Sequence, residues 1–297
     1  GTHISKQIKY IQVVVNGSPS TGIMSGVLDA TLDARVLDLV TGSRDRLTPL
    51  ALKRRVKQAF RPLERGRVAS SIKRLVEQKK LVYTYQFGNS FLEPSFERPV
   101  RVTHSIVLKP PACDYHPLAG DIVVNIRAGA AFGTGRHPTT RLALWGLEKV
   151  STGGLIPFRN EESRVLDIGT GSGVLLIAAL KLGCACGMGL DIDPCARAEA
   201  SKNAALNRLS NWVTISDHSL DSLEGPFSLI TANLRLPTLK VYFNKMAQLT
   251  EPGGFMIVSG IKANEIESIK DVSKPFGMAV CWEGIEKGWG GLALHRR

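Results

Sequence analysis

The chain has few cysteines, and none lie at spacings that would bind a metal or form a disulfide framework. Its 297 residues include five cysteines, an odd number without a C-x-x-C pair, so we expect neither disulfides nor a metal site. There is no run of about 18 apolar residues, and the first residues lack the charged-then-apolar pattern of a secretion signal. We therefore expect a cytoplasmic chain that is neither secreted nor membrane-spanning.

The strongest pattern is a strand, a glycine turn, a helix and a second strand ending in an acid. Arg164–Ile168 is a short apolar run typical of a buried parallel strand, and Gly173–Leu182 continues as a helix. Asp191 follows Asp167 by 24 residues and ends the second strand, where a carboxylate can accept hydrogen bonds from ribose hydroxyls. This unit predicts an α/β, Rossmann-like fold with a nucleoside-cofactor site.

A third glycine is missing from the position that a dinucleotide-binding fingerprint requires. Gly169 and Gly171 are followed there by Val174, so G-x-G-x-x-G fails. What remains is D-x-G-x-G-x-G, formed by Asp167, Gly169, Gly171 and Gly173, which resembles the loop of S-adenosylmethionine-dependent methyltransferases. A glycine turn alone is also compatible with a purely structural role. Together with Asp191, the loop favours S-adenosyl-L-methionine as the cofactor.

A second segment narrows the resemblance. Residues 131–140 read A-F-G-T-G-R-H-P-T-T, similar to a segment of the bacterial methyltransferases that modify large-subunit ribosomal protein eleven. The resemblance continues through residues 165–207, resumes at 232–234 and 253–261, and covers roughly Asn125 to the end of the chain. It implies a Rossmann-like, S-adenosylmethionine-dependent methyltransferase domain.

Carried over by position, the resemblance implies cofactor contacts at Thr140, Gly169, Asp191 and Asn233. Asn233 follows an apolar run, so it is expected at the carboxyl edge of a strand, where open α/β sheets bind ligands. A turn-forming asparagine is the alternative there. No catalytic acid or base is identified. Positioning is assigned to Asn233 and the Phe132–Thr140 loop, in which His137 fits a loop-shaping role better than that of a general base.

No aromatic platform follows Asn233. Enzymes that methylate nucleobase amines typically have Pro-Pro-Tyr or Pro-Pro-Phe there, whereas this chain has Leu234-Arg235-Leu236. Base methylation is therefore disfavoured, and the resemblance implies methylation of a protein amino group, a lysine or an N-terminal amine, on a protein substrate of ribosomal type. Two alternatives stay open: an RNA methyltransferase, and a non-catalytic regulatory protein that binds cofactor and nucleic acid.

Positive charge is concentrated in one short segment. Residues 41–80 contain 13 Lys or Arg and 3 acids, which supplies +10 of the net charge of +12. Apolar residues recur there at helical spacing around Leu32–Val40, Leu52–Phe60 and Val68–Val76, and Thr48-Pro49 predicts the start of the middle helix. Two short strands then flank Gly88-Asn89, a dipeptide suited to a hairpin turn.

Three helices and a hairpin resemble a winged helix-turn-helix domain, whereas the resembled family usually has a ferredoxin-like recruiting domain at this end. The predicted division is a strand-containing tail over 1–25, a basic winged-helix-like domain over 26–100, a connector over 101–124 and a methyltransferase domain over 125–297. Basic winged helices often bind nucleic acid through the third helix and the wing, so contact is predicted at Arg67, Lys73 and Arg74. The same face can include Lys79, Lys80, Tyr83 and Tyr85. A solvated surface and a docking face for an acidic protein are the alternatives.

Overall fold

The structure is a computed structural model. It describes residues 21–41, 43, 46–59, 66–86, 88–95, 97–127, 133, 135, 137–152 and 162–297, without the side chains of 21–26, 86 and 152. The predicted strand at Ile8–Val15 therefore lies outside the described residues. In the described part, the N-terminal elements are the helices α1 (Thr21–Thr41), α2 (Pro49–Ala59) and α3 (Arg67–Glu77) and the strands β1 (Leu81–Gln86) and β2 (Asn89–Pro94).

These three helices and the hairpin enclose a hydrophobic core of their own, as the helical spacing predicts. Buried side chains come from every element, including Val36 of α1, Leu52 of α2, Ile72 of α3 and Leu92 of β2. The helix α1 begins at Thr21, well before the apolar periodicity that predicted it. The described N-terminal elements thus form a small helical unit with a two-stranded wing.

The start of α2 follows the predicted capping pattern, but the hairpin turn is shifted by one residue. The Thr48 hydroxyl accepts a hydrogen bond from the Ala51 N–H at 3.2 Å, and Pro49 is the first helical residue. In the hairpin, Gln86 pairs with Asn89, so Asn89 belongs to the second strand. Gly88 has a φ of 76°, which explains the glycine.

Three ion pairs fix α3 against α1, including one between Arg74 and Asp29 at 3.6 Å. Arg74 donates to both carboxylate oxygens of Asp33 at 2.8 and 3.1 Å, and Arg67 donates to Asp29 at 2.9 Å. The Ser71 hydroxyl donates to Asp33 as well. Two of the three residues predicted to contact nucleic acid are therefore engaged inside the domain, because acids of α1 lie directly opposite them.

A three-stranded sheet occupies the stretch predicted as a connector. It consists of β3 (Val100–Arg101), β4 (Ile106–Lys109) and β5 (Ile122–Asn125), with β4 between the other two. The loop before β4 is held by Glu148, whose carboxylate accepts hydrogen bonds from Thr103, His104 and Ser105 at 2.6–3.1 Å. Ile106 and Leu108 are buried in a hydrophobic core together with residues of the chain after Pro138, which forms the second unit of the structure. The three-stranded sheet therefore packs as part of this second unit.

The second unit is built on a seven-stranded sheet of order β11-β12-β10-β9-β6-β7-β8. Neighbouring strands from β10 to β8 are parallel, and the β11–β12 hairpin adds antiparallel at one edge. This is the predicted α/β, Rossmann-like sheet. Its strands are β6 (Arg164–Ile168), β7 (Cys186–Leu190), β8 (Val213–Ser216), β9 (Phe227–Asn233), β10 (Thr250–Lys262), β11 (Met278–Glu286) and β12 (Trp289–Arg296).

Helices cover both faces of this sheet because its central strands are apolar on both sides. The described helices here are α4 (Pro138–Thr152), α5 (Val174–Leu182), α6 (Pro194–Leu206), α7 (Leu236–Leu249) and α8 (Ile266–Ser273). Apolar residues of α4 and α5 share a core with Leu229, Phe255 and Ile257, and those of α7 and α8 share one with Ile230 and Met256. All five cysteines are free thiols, and no described helix is long and apolar enough to cross a membrane.

Candidate functional site

Most of the predicted cofactor residues converge on one edge of the sheet. The strands β9, β6 and β7 are neighbours and run parallel, so their carboxyl ends meet. Asp167 lies near the end of β6, Asp191 directly after β7, and Asn233 at the end of β9. Ligands of open α/β sheets bind at this edge. The fold thus brings together side chains that are up to 66 positions apart in the sequence.

The glycine loop after β6 uses a backbone conformation that other residues rarely adopt. Gly169, Gly171 and Gly173 have φ values of 70°, 53° and 79°. The N–H groups of Gly169 and Thr170 both donate to the Leu190 carbonyl, which ties the loop to the end of β7. A Cβ at Gly169 would lie 2.7 Å from the Leu234 side chain, so the loop also packs closely against the chain after β9.

Asp167 lies beneath this loop and does not face the ligand edge. It is 1% exposed, and its two oxygens accept hydrogen bonds from the Thr170 and Thr231 hydroxyls at 2.7 and 2.6 Å. Burial raises the pKa of Asp167 to about 6. Both oxygens of Asp167 accept hydrogen bonds within the protein, and its place in the cofactor site stays a prediction. Asp167 organises the loop, and Thr170 and Thr231 are its partners, which the sequence pattern did not reveal.

Asp191 is held in one orientation by two backbone donors. One carboxylate oxygen accepts the Gly171 N–H at 2.9 Å, and the other accepts the Asp193 N–H at 3.0 Å. A carboxylate offers about four acceptor positions, so two remain for a pair of ribose hydroxyls. The next residue, Ile192, is 93% exposed, and its apolar surface suits the face of a purine ring. Asp217, which follows β8, pairs with Arg197 at 3.0 Å.

Asn233 keeps its side-chain amide available. It is half-buried, and its amide forms no hydrogen bond with any residue that the structure describes. Residues at alternate positions of a strand share a face, so Asn233 points to the same side as Thr231, toward α4. Ser259 of the neighbouring strand β10 lies opposite Asn233, and its side chain is on the same face of the sheet. The Ser259 hydroxyl is buried and, within the described residues, lacks a hydrogen-bond partner.

The start of α4 brings Thr140 to this same face. Its hydroxyl is fully buried and finds no partner among the described residues. An unpaired buried hydroxyl costs free energy unless a bound group satisfies it, so Thr140 fits a polar group of the cofactor. Of the predicted Phe132–Thr140 loop, Phe132, Thr134 and Arg136 lie outside the described residues. Together, Thr140, Asp191 and the glycine loop fit S-adenosylmethionine.

His137 shapes the beginning of α4. Its Nδ1 atom lies 3.3 Å from the Thr139 N–H and 2.8 Å from the Thr139 hydroxyl, and its ring meets the edge of Trp289. Burial and then the nearby charge of Arg141 lower the pKa of His137 to about 4. A general base is most effective when its pKa lies near the working pH. The structure therefore supports the loop-shaping role that the sequence favoured.

Arg141 connects three parts of the site, a role that the sequence did not indicate. Its guanidinium pairs with Glu286 at the end of β11 and donates to the Gly135 carbonyl at 3.1 Å. Nearby, the Lys262 ammonium lies 3.5 Å from the ring centre of Trp289. These cations line the side of the site next to α4. Among the described residues, no group of three or more His, Cys, Asp or Glu could hold a metal.

Comparisons with known proteins match the second unit and the strands that precede it. A family model described as "Ribosomal protein L11 methyltransferase (PrmA)" matches residues 94–297. Proteins named ribosomal protein L11 methyltransferase are 41% identical over 167 residues in Citrifermentans bemidjiense and 36% identical over 203 residues in Geotalea daltonii. These alignments cover 55% and 67% of this chain, and 53% and 64% of the relatives' own length.

A solved structure is similar as well. The crystal structure of ribosomal protein L11 methylase from Lactobacillus delbrueckii subsp. bulgaricus has a TM-score of 0.59 and 28% identity. It covers 67% of this chain and 99% of that chain. The family match spans well over half of the sequence and includes the described cofactor-site candidates. The chain belongs to the ribosomal protein L11 methyltransferase family.

Proposed function

We propose that the chain transfers a methyl group from S-adenosylmethionine to an amino group of a ribosomal protein, a homologue of L11. The observation that carries this proposal is the convergence of an oriented ribose acceptor, Asp191, with the unpaired Thr140 hydroxyl and the available Asn233 amide at one sheet edge. The relatives' names support the substrate class. A ribosomal protein is made and assembled in the cytoplasm, which is the proposed location.

The cofactor supplies an electrophilic methyl group, and the residues of the chain supply position and charge. Alignment of an amine with that methyl group can lower the barrier to methyl transfer by several kcal/mol. We assign this alignment to Asn233 and the segment before Thr140. A lysine amine with a reference pKa of about 10.4 loses its proton at pH 7 at a cost of about 4.6 kcal/mol. The Lys262 ammonium, one of the charges that lower the pKa of His137, would also disfavour a protonated amine nearby and so reduce that cost.

The direct test is transfer of a labelled methyl group into ribosomal proteins and ribosomal RNA. We expect the label in protein, removed by protease and resistant to nuclease. Label that nuclease releases would favour RNA methylation, which the Leu234-Arg235-Leu236 sequence after Asn233 disfavours. Cofactor binding without any transfer, to protein or to RNA, would favour the regulatory alternative.

Replacing Asn233 with alanine should lower kcat about two- to tenfold, because one positioning hydrogen bond contributes about 0.5–1.5 kcal/mol. Steady-state methyl transfer measures the change. The matched control is Asn211→Ala, which removes an exposed amide from a turn of the same unit. Equal rates in the two variants would remove Asn233 from the site.

We also propose that the domain boundary lies between β2 and β3, earlier than the predicted division at residue 125. A chain of residues 97–297 should bind S-adenosylmethionine within about twofold of the full chain. A chain of residues 125–297 should fail to fold stably, because it loses buried Ile106 and Leu108 and leaves the Glu148 carboxylate without its donors. Calorimetric titration and thermal unfolding test both chains. Normal stability of the shorter chain would contradict this boundary.

We further propose that the N-terminal domain contacts nucleic acid. Its support is the charge of +10 within residues 41–80. Arg67 and Arg74, two of the residues first expected to form the contact, are paired with Asp29 and Asp33. That pairing argues against these two side chains as the main phosphate ligands. Other cations of the domain are better candidates for the contact.

A further inference from the structure

The cations of the N-terminal domain fall into two classes. Those of α3 are compensated: Arg67 and Arg74 pair with acids of α1, and the Lys73 ammonium lies 3.8 Å from Glu77. Those of α2 differ, since Lys53 and its neighbours Arg54 and Lys57 form no ion pair with any residue in the described part of the chain. Of the two described helices α2 and α3, it is therefore α2 that carries uncompensated positive charge.

The helix α2 itself contains four cations and no acid. Leu52 and Val56 are buried and fix one side of the helix in the core, while Arg54 and Lys57 are exposed and Lys53 is half-buried. Like charges one turn apart, as at Lys53 and Lys57, destabilise a helix by a few tenths of a kcal/mol. An anionic partner would relieve this repulsion, which makes α2 complementary to a polyanion.

Exposed aromatic rings lie on the hairpin next to this helix. Leu47, just before α2, pairs with Leu92 of β2, which pairs with Tyr83 of β1. Two strand spacings place the Tyr83 backbone about 10 Å from the chain that leads into α2. Tyr83 and Tyr85 are 51% and 76% exposed, and their alternate positions put them on one face of β1. Exposed aromatic rings beside cations are typical of surfaces that bind unpaired bases.

We propose that α2 and the hairpin form a binding surface for single-stranded RNA, with the α2 cations on phosphates and Tyr83 and Tyr85 stacked on bases. The choice of RNA rests on the proposed function, because the substrate proposed there belongs to a class of proteins that bind ribosomal RNA. An acidic protein would satisfy the charges but would leave the tyrosines without a role. Double-stranded partners keep their bases stacked away from such rings.

The test is fluorescence anisotropy of labelled oligouridylate with the full chain at several salt concentrations. A combined Lys53→Ala, Arg54→Ala and Lys57→Ala variant should lower the slope of log affinity against log salt by about 2, since each phosphate contact on a single strand contributes about 0.7. The control removes three exposed lysines of α4, α6 and α7, Lys149, Lys202 and Lys240, and should leave the slope unchanged. The Tyr85→Ala variant should bind about fivefold more weakly or worse at fixed salt, with the slope retained.

Cofactor affinity, measured on the same proteins, separates this inference from the proposed function. We expect it to be unchanged in all three variants, which also shows that they are folded. If the α2 variant keeps the full salt slope, or if polyglutamate binds the chain as tightly as oligouridylate at equal salt, the RNA surface is overturned. Loss of RNA binding in the α2 variant alone, with cofactor affinity intact, supports it.

Discussion

Asp191→Ala should weaken S-adenosylmethionine binding about 30- to 150-fold, equivalent to roughly 2–3 kcal/mol, because hydrogen bonds to a charged group contribute about 1.5–3 kcal/mol. Alanine removes the acceptors for both ribose hydroxyls. It also leaves the Gly171 and Asp193 N–H groups, which now orient the carboxylate, without their partner. Calorimetric titration of the two proteins measures the difference.

Two further variants make the Asp191 result specific. Asp191→Asn retains one acceptor oxygen and should lose less affinity than alanine. Asp221→Ala removes one exposed acid from a short turn of the same unit and should bind like the unaltered chain. Affinity that is equal in Asp191→Ala and Asp221→Ala would refute the assignment of Asp191 to the ribose.

Asp167 should make stability depend on pH in a way that Asp167→Asn removes. Burial raises the pKa of Asp167 from its ordinary 3.8 to about 6, so the folded chain holds this proton more tightly than the unfolded chain. The stabilisation is complete below pH 3.8 and disappears as the pH rises through 6. The free energy of unfolding should therefore fall by about 3 kcal/mol over this window, relative to the asparagine variant.

Asparagine is the appropriate comparison because the Thr170 and Thr231 hydroxyls can donate to its oxygen or accept from its nitrogen. Denaturant unfolding at several pH values between 4 and 7 gives the difference between the two proteins. An Asp167→Leu variant leaves both hydroxyls unpaired. It should be less stable than the asparagine variant by about 3 kcal/mol or more at any pH. Parallel pH profiles of wild type and asparagine variant would show that Asp167 titrates at its ordinary pKa.

Local patterns were sufficient to predict the βαβ unit, the three N-terminal helices and the start of α2. Each depends on periodicity or spacing within about 30 residues, and each is present in the structure. The positions of Asp191 and Asn233 at strand ends were predictable for the same reason. Whether a carboxylate such as Asp167 faces a ligand or the interior depends on partners such as Thr231, 64 positions away.

The cations of the N-terminal domain show the same limit on prediction from local sequence. Composition located the positive charge correctly, but the sequence alone could not distinguish Arg74, which meets Asp33 across 41 positions, from Lys57, which has no described partner. Helix packing decides which acids lie opposite which bases. The β11–β12 hairpin at the sheet edge also escaped prediction, since its antiparallel pairing with β10 depends on a register set by long-range packing.

The hydrogen bonds between the Glu148 carboxylate and the loop before β4 limit where this chain can be divided, in evolution or by engineering. Because three consecutive residues of the loop before β4 are hydrogen-bonded to Glu148 of α4, the small sheet must be inherited together with the second unit. The family match begins at residue 94, before β3, and so includes the whole small sheet. A join placed just before β3 thus keeps the small sheet and the candidate cofactor site on one piece of chain. Chimeras joined there should retain the fold of the second unit with a different N-terminal domain.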